Sequence, residues 1–242
     1  MSRRMIDFHS HMLPDVDDGS RSTEQSLEMI EKSAEQGVDC IVFTPHFYAL
    51  HDDPTHFLRR RQESFERLKQ FLPEESPKLL CGAEVRYFDG LVSMEELPQM
   101  RIEGSSCLLV EMPFRKWQKR EIGDILDLCG RKEYTVILAH IERYLGWNKL
   151  SVVEEMVSAG AVIQANGDFF LGGFRSRTAI RMINRGLIHV LGSDAHNTTE
   201  RPPNLGSAYD VIEKKCGKGT MDDIYTFGAR LLNIAPSERV NK

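Results

Sequence analysis

The sequence predicts an α/β fold built on a parallel sheet, and three observations carry that prediction. Short apolar, β-branched runs recur along the whole chain, stretches with helical periodicity lie between most of them, and four of those stretches stop at a glycine. Strand followed by helix, repeated, gives parallel strands whose faces the helices cover. Seven such units can close as a barrel or stay open as a doubly wound sheet, and the pattern allows both. The 242 residues, 41% of them hydrophobic, suffice for one well-buried core. No linker, internal repeat or break in composition interrupts them, so residues 1–242 are expected to form a single domain.

The elements follow in order. Residues 5–8 open as the first strand, and Ser22 or Thr23 can then cap a helix with Glu24 in its first turn. Leu27, Met29, Ile30 and Ala34 supply much of its apolar stripe, and Gly37 stands at its C′ position. Strands are expected at 40–44, 79–85, 106–111, 135–139, 161–165 and 188–191, and further helices near 55–71, 118–129, 149–159, 176–185 and 221–232. Gly130, Gly160 and Gly186 are the other expected C′ glycines. Arg59-Arg60-Arg61 falls in the second helix and reads as a solvated face.

Composition excludes several classes. A net charge of −5 speaks against wholesale binding of nucleic acid. No run approaches the roughly 20 apolar residues of a membrane helix, and no signal-like stretch precedes the first strand, so a cytoplasmic protein not embedded in a membrane is expected. Cys40, Cys81, Cys107, Cys129 and Cys216 are scattered and mostly sit in apolar runs, as reduced core thiols do. The sequence sets no oligomeric state.

In α/β barrels the C-terminal ends of the strands gather the functional groups. Here His9 and His11 follow the first run and His46 the second. Glu84, Glu111 and His140 mark the third to fifth, Asn166 the sixth, and Asp194 and His196 the seventh. Five of the eight histidines fall at these ends, whereas His51, His56 and His189 do not and read as structural. Residues two apart on an extended segment point the same way, so His9 and His11 can reach one ion, and Asp194-x-His196 repeats that geometry. Imidazole with carboxylate and no thiolate suits manganese, iron or zinc.

These residues carry a family resemblance. Met5-Ile-Asp-Phe-His-Ser-His, Asp17-Asp18-Gly19, Thr44-Pro45-His46, Gly82-Ala-Glu84, Ala139-His140-Ile-Glu-Arg143-Tyr144, Ser193-Asp194-Ala-His196-Asn197 and Arg201-Pro-Pro run in order through the chain. Together they resemble the polymerase and histidinol phosphatase (PHP) superfamily. Within it, they are similar to the bacterial manganese-dependent protein-tyrosine phosphatases encoded with capsule and exopolysaccharide genes. The resemblance implies a distorted (β/α)7 barrel of the PHP type with three divalent ions, manganese foremost. It implies that His9, His11, Glu84 and Asp194 hold one ion, that Glu84 bridges to a second held by Glu111 and His140, and that Asp18, His46 and His196 hold the third. Arg143 and Arg201 match the family's phosphate-contacting arginines, and the implied partner is a phosphotyrosine protein, a bacterial tyrosine kinase. Ile141 departs from the proline of many relatives without touching an implied ligand.

Charge agrees with this. Four carboxylates against three divalent ions leave about +2, and a hydroxide lowers that to about +1, which matches a phosphate monoester near −2. The expected chemistry is in-line attack by metal-bound hydroxide, with arginine giving bidentate contacts to the phosphoryl oxygens. A thiol phosphatase needs an arginine six residues after its cysteine, and His46, Tyr87, Pro113, Thr135 and Asp222 stand there instead. Two readings compete: a small-molecule phosphatase acting on histidinol phosphate, and a metal-binding regulatory protein without turnover. Phe47, Tyr48, Trp117, Phe169, Phe170 and Phe174 follow strand ends and fit either a rim for a tyrosine ring or ordinary loop packing.

Overall fold

In the computed structural model, which describes residues 3–235, strand β1 (Met5–Ser10) is buried at every position. The ends of the expected domain, residues 1–2 and 236–242, lie outside the described residues. Ser22 caps α1 (Thr23–Glu35), its side chain accepting from the Gln25 N–H, and Gly37 then turns the chain at φ 93°. The strand expected at 40–44 is broken. β2 (Val38–Phe43) runs beside β1, and β3 (His46–Phe47) resumes after Pro45, which has no N–H to give a ladder.

After α2 (Pro54–Lys69), the strand expected at 79–85 breaks in the same way, into β4 (Lys78–Cys81) and β5 (Glu84–Arg86) around Gly82. A Cβ on Gly82 would lie 3.0 Å from Ile102 Cγ1, so a larger residue would push against the neighbouring loop. The chain continues through β6 (Cys107–Glu111), α3 (Lys119–Gly130), β7 (Thr135–Leu138), α4 (Leu150–Ser158), β8 (Val162–Asn166), α5 (Asp168–Leu171), α6 (Gly173–Asn184), β9 (Val190–Gly192), α7 (Leu205–Cys216) and α8 (Lys218–Leu231).

The breaks divide the strands into a three-stranded sheet, β1-β2-β4, and a six-stranded sheet, β3-β5-β6-β7-β8-β9, with every pair parallel. Backbone bonds carry the first sheet's ladders to the breaks, Thr44 N–H to Ser10 O at 2.8 Å and Gly82 N–H to Phe43 O at 2.8 Å, and the chain then passes straight into β3 and β5. At the other margin Asp194 N–H reaches His9 O at 2.7 Å and His11 N–H reaches Ala195 O at 2.9 Å. The result is a strongly curled parallel sheet, in keeping with the distorted barrel expected, with the ends of β1 and β9 side by side.

Alternation along the strands separates two cores. Ile6, Phe8, Val42, Leu109, Ile137 and Val190 point inward, where Tyr225, Ala229 and Leu232 of the closing helical segment pack against them. Met5, Ile41, Val110, Val136 and Leu138 belong to the core under the helices. α8 thus closes the interior at the N-terminal ends of the strands and leaves the C-terminal ends to polar groups.

Some expectations need correction. Gly130 is the last residue of α3 and lacks a positive φ, unlike Gly160 (φ 101°) and Gly186 (φ 66°). α6 begins at Gly173, earlier than expected, and α7 was not anticipated, although Leu205, Ala208 and Ile212 give it a buried face. Arg60 pairs with Asp52 at 2.6 Å, Arg61 donates to Gly82 O and Gln99 O, and exposed Arg59 lies 3.9 Å from Glu63, so all three clustered arginines have partners within the chain. All five cysteines are free, and burial pushes the Cys40 and Cys81 thiols up to about 12. Among the described residues no helix is long and apolar enough to cross a membrane.

Two helical glycines test the packing of α8. Gly228 lies against β1, where a Cβ would sit 2.7 Å from Phe8 Cε2, whereas a Cβ on Gly123 of α3 meets nothing within 4 Å. Gly123→Ala should therefore gain the usual helix preference, raising stability by about 0.5–1 kcal/mol. Gly228→Ala should reverse that sign and cost about 1–3 kcal/mol through overpacking. Urea midpoints of the two variants check this, and stabilisation by Gly228→Ala would refute the close docking of α8.

Candidate metal centre

His9 and His11 are fully buried and bring their Nε2 atoms to 3.0 Å from each other. Their outer hydrogen bonds fix the tautomers. Gln164 Oε1 accepts the His140 backbone N–H at 2.6 Å, so it is an acceptor, and His9 Nδ1, 3.2 Å away, must donate to it. His11 Nδ1 faces Asp17 Oδ2 at 2.6 Å and donates to that carboxylate. Both Nε2 atoms are thereby turned toward one another, and only a proton or a cation between them relieves the facing lone pairs. Glu84 Oε2 joins them at 3.2 and 3.4 Å, and Asp194 Oδ1 at 3.6 and 3.4 Å.

The other imidazoles extend the cluster. His46 and Glu84 are register partners on β3 and β5, which brings His46 Nδ1 to 2.7 Å from Glu84 Oε2. Neither atom has the angle of a hydrogen bond, and Glu84 Oε2 lies buried among three imidazole nitrogens without an N–H aimed at it. His140 Nε2 is 2.8 Å from Glu84 Oε1 and 3.4 Å from Glu111 Oε1. His196 gives its Nδ1–H to the Asp194 carbonyl at 2.9 Å, so its Nε2, buried without a hydrogen bond, is a third free lone pair, 3.5 Å from Asp18 Oδ1. Three overlapping groups result: His9, His11 and Glu84; Glu84, Glu111 and His140; His11, Asp18, His46 and His196. Asp194 abuts the first, so the nine candidate ligands lie together.

Lone pairs and carboxylates that face each other without water repel, and a proton or a cation must lie between them. Nitrogen and oxygen donors without sulfur, held from behind by Gln164, Asp17 and a carbonyl, fit divalent ions. Without ions, protons do the neutralising. Burial opposes a charge on His11, but Asp17 outweighs it and holds the imidazole well above its usual range. For His140 burial is likewise outweighed, by the carboxylates of Glu111 and Glu84, and its pKa rises to about 9. Glu84 and Asp194 are held well below the carboxylate range: burial works against ionisation, and His9 overcomes it.

Arg143 and Arg201 converge on one atom, Asp194 Oδ2, at 2.6 and 2.8 Å, and each side chain remains more than a third exposed. The Asn166 amide donates to the same oxygen at 2.8 Å. His140 (φ 32°) and Asp194 (φ 52°) adopt left-handed backbone, which a non-glycine residue holds only where its surroundings enforce it. Sequence reasoning missed Gln164, which orients His9, and the distinct role of Asp17, which orients His11. Alternation along β8 was the available signal for Gln164, since it sits two before Asn166 on the same face, and its amide bonds Asn166 Oδ1 at 2.8 Å. Of the six aromatic candidates, Phe47, Trp117, Phe169 and Phe170 are core and Phe174 is exposed, while Tyr48 stacks on His46 at 5.1 Å. Phe114, not singled out before, lies 5.8 Å from His140.

The His140 shift sets a sign for pH dependence. A pKa raised from 6.5 to about 9 gives the metal-free protein stability that is complete below about 6.5 and is lost as pH rises through about 9. Divalent ions take the place of those protons, so loading should release protons, and apparent affinity should fall as pH falls. Calorimetric titration with Mn2+ in two buffers of different ionisation heat reads the release directly. Binding with no proton exchange at pH 7 would contradict the protonated state of the metal-free cluster.

Residues 5–232 match the family described as capsular polysaccharide synthesis, CpsB/CapC. The chain is 32% identical over 239 residues to the tyrosine-protein phosphatase CpsB of Streptococcus pneumoniae, spanning 93% of this chain and 97% of that one. To the tyrosine-protein phosphatase YwqE of Bacillus subtilis it is 28% identical over 221 residues, spanning 88% and 85%. Its fold superposes with a TM-score of 0.81 and 26% identity, over 95% of this chain and 94% of the other, on a structure from the crystallographic work on YwqE of Bacillus subtilis and CpsB of Streptococcus pneumoniae, termed unique metal-dependent tyrosine phosphatases. With motifs, curled sheet and cluster agreeing along nearly its whole length, the chain belongs to the CpsB/CapC family of PHP-type proteins.

Proposed function

We propose that this chain is a metal-dependent protein-tyrosine phosphatase, and the observation that carries the reading is the buried set of facing lone pairs flanked by two arginines on a single carboxylate. One domain over residues 1–242 performs the chemistry. His9, His11, Glu84 and Asp194 would hold one ion, Glu84, Glu111 and His140 a second, and Asp18, His46 and His196 a third. Manganese is the metal this reading favours; iron and zinc share its taste for these donors. When bound, the ions supply Lewis acidity toward phosphoryl oxygens and make water acidic enough to serve as a nucleophile near neutral pH.

The chain's own residues do the rest. Asp194 fixes two guanidinium groups side by side, and each keeps more than a third of its side chain exposed, leaving N–H groups that can grip phosphoryl oxygens. Burial opposes the charge on Arg143, but Asp194 and Glu84 sustain it. Counting Asp17 with the four candidate ligand carboxylates, three divalent ions leave about one positive charge and the two arginines add two, a field suited to a phosphate monoester near −2. The leaving phenol, with a pKa near 10, departs with little help from an acid. Burial holds the Cys107 and Cys129 thiols at about 11, far from the thiolate a cysteine mechanism needs. The partner is a phosphotyrosine protein in the cytoplasm, a bacterial tyrosine kinase of capsule synthesis, in line with the named activity of the relatives.

One assay series tests this. A phosphotyrosine peptide should be hydrolysed, chelation should abolish turnover, iodoacetamide should leave it intact, and histidinol phosphate should be a poor substrate. Arg143→Ala and Arg201→Ala should each keep their metal and lose roughly 10²- to 10³-fold in kcat/KM, the scale of one preorganised charged contact. Hydrolysis of histidinol phosphate in preference to the peptide, or turnover that survives full chelation, would overturn the reading.

A further inference from the structure

Arg86 belongs to none of the motifs in the sequence. On β5 it is the register partner of Glu111 on β6, and its Nη1 donates to Glu111 Oε2 at 3.2 Å. Its guanidinium carbon lies 5.7 Å from the centroid of the Tyr48 ring and 5.4 Å from that of Phe114. Both rings are themselves tied to the cluster: Tyr48 stacks on His46, and Phe114 lies beside His140 while stacking on Tyr144 at 5.8 Å. Among the described residues Arg86 donates to Glu111 alone, and its side chain is 41% exposed. A cavity of about 370 Å³ lined by Tyr48, Leu50, Arg86 and Phe88 opens beside it.

This placement differs from that of the other arginines. Arg143 and Arg201 meet on Asp194, where a phosphoryl group has two forks to grip, whereas Arg86 is anchored on Glu111 beside the rings of Tyr48 and Phe114. A guanidinium held there with part of its surface open favours an aromatic ring against it and offers little to an alkyl chain. Building on the phosphotyrosine reading above, we propose that Arg86, with Tyr48 and Phe114, is the specificity-determining wall of the site. The substrate's tyrosyl ring lies against the Arg86 guanidinium, and residues flanking it in the peptide enter the adjoining cavity.

Two inhibitors that differ only in the ring test the wall: phenylphosphonate and methylphosphonate, competing with p-nitrophenyl phosphate on the manganese-loaded enzyme. The wild type should prefer the phenyl compound. Arg86→Ala should weaken phenylphosphonate roughly 3- to 10-fold, the range of an exposed to partly desolvated cation–π contact, change methylphosphonate less than about twofold, and leave metal content unchanged. Arg86→Lys should restore part of the preference, since it keeps the cation and loses the plane. Equal loss for both inhibitors would make Arg86 a phosphoryl contact, and loss of metal would make it a support for Glu111; either overturns the proposal, as does a wild type with no phenyl preference. A wild type without metal-dependent turnover of p-nitrophenyl phosphate would instead remove the phosphatase reading, and this inference with it.

Discussion

Two buried imidazoles, His9 and His11, direct their Nε2 atoms at each other across 3.0 Å because Gln164 and Asp17 each accept the Nδ1 proton on the far side. In a low-dielectric interior such a contact is repulsive unless positive charge lies between the two atoms. Glu84 and Asp194 crowd the same space with negative charge, which deepens the demand. The arrangement is thus held by what it binds, protons in the metal-free protein and cations in the loaded one. Removing either outer partner would free the imidazole to rotate, so Gln164 and Asp17 matter as much to the centre as the ligands they orient.

The fold is shaped to deliver that convergence. The pairing keeps one register across the breaks at Pro45 and Gly82, Phe43 opposite Cys81 before them and His46 opposite Glu84 after them, so the second sheet opens with His46 and Glu84 side by side at the mouth. His140 and Asp194 reach the cluster from left-handed backbone, a local strain that tight hydrogen bonding around both residues sustains. At the opposite end α8 closes the interior with apolar groups, so rigidity is concentrated below the site and charge above it.

Much of this was legible in the sequence because it follows from periodicity. The strand-helix alternation gave the α/β class, and the two-residue spacing of His9 and His11 gave their common direction. Positions beyond the ends of strands were harder. Neither a broken strand nor a left-handed histidine leaves a pattern in composition, because tertiary contacts enforce both. Asp17 and Asp18 are adjacent carboxylates of one motif, yet one is buried against His11 and the other is largely exposed near His46 and His196, a division that only the path of the loop decides. Arg86 and Phe114 belong to no motif in the sequence, and only the fold brings Phe114 and Tyr48 to the same guanidinium. Gly130 carried a helix-end signal that α3 absorbs as its last turn.

The central claim is that the buried lone pairs require cations between them, and anomalous diffraction from crystals grown with manganese tests it most directly. The account predicts three peaks, one of them within coordinating distance of both His9 Nε2 and His11 Nε2, with Glu84 shared between that ion and its neighbour near His140. Crystals that show no peak between His9 and His11, with both rings keeping the orientation described above, would contradict it.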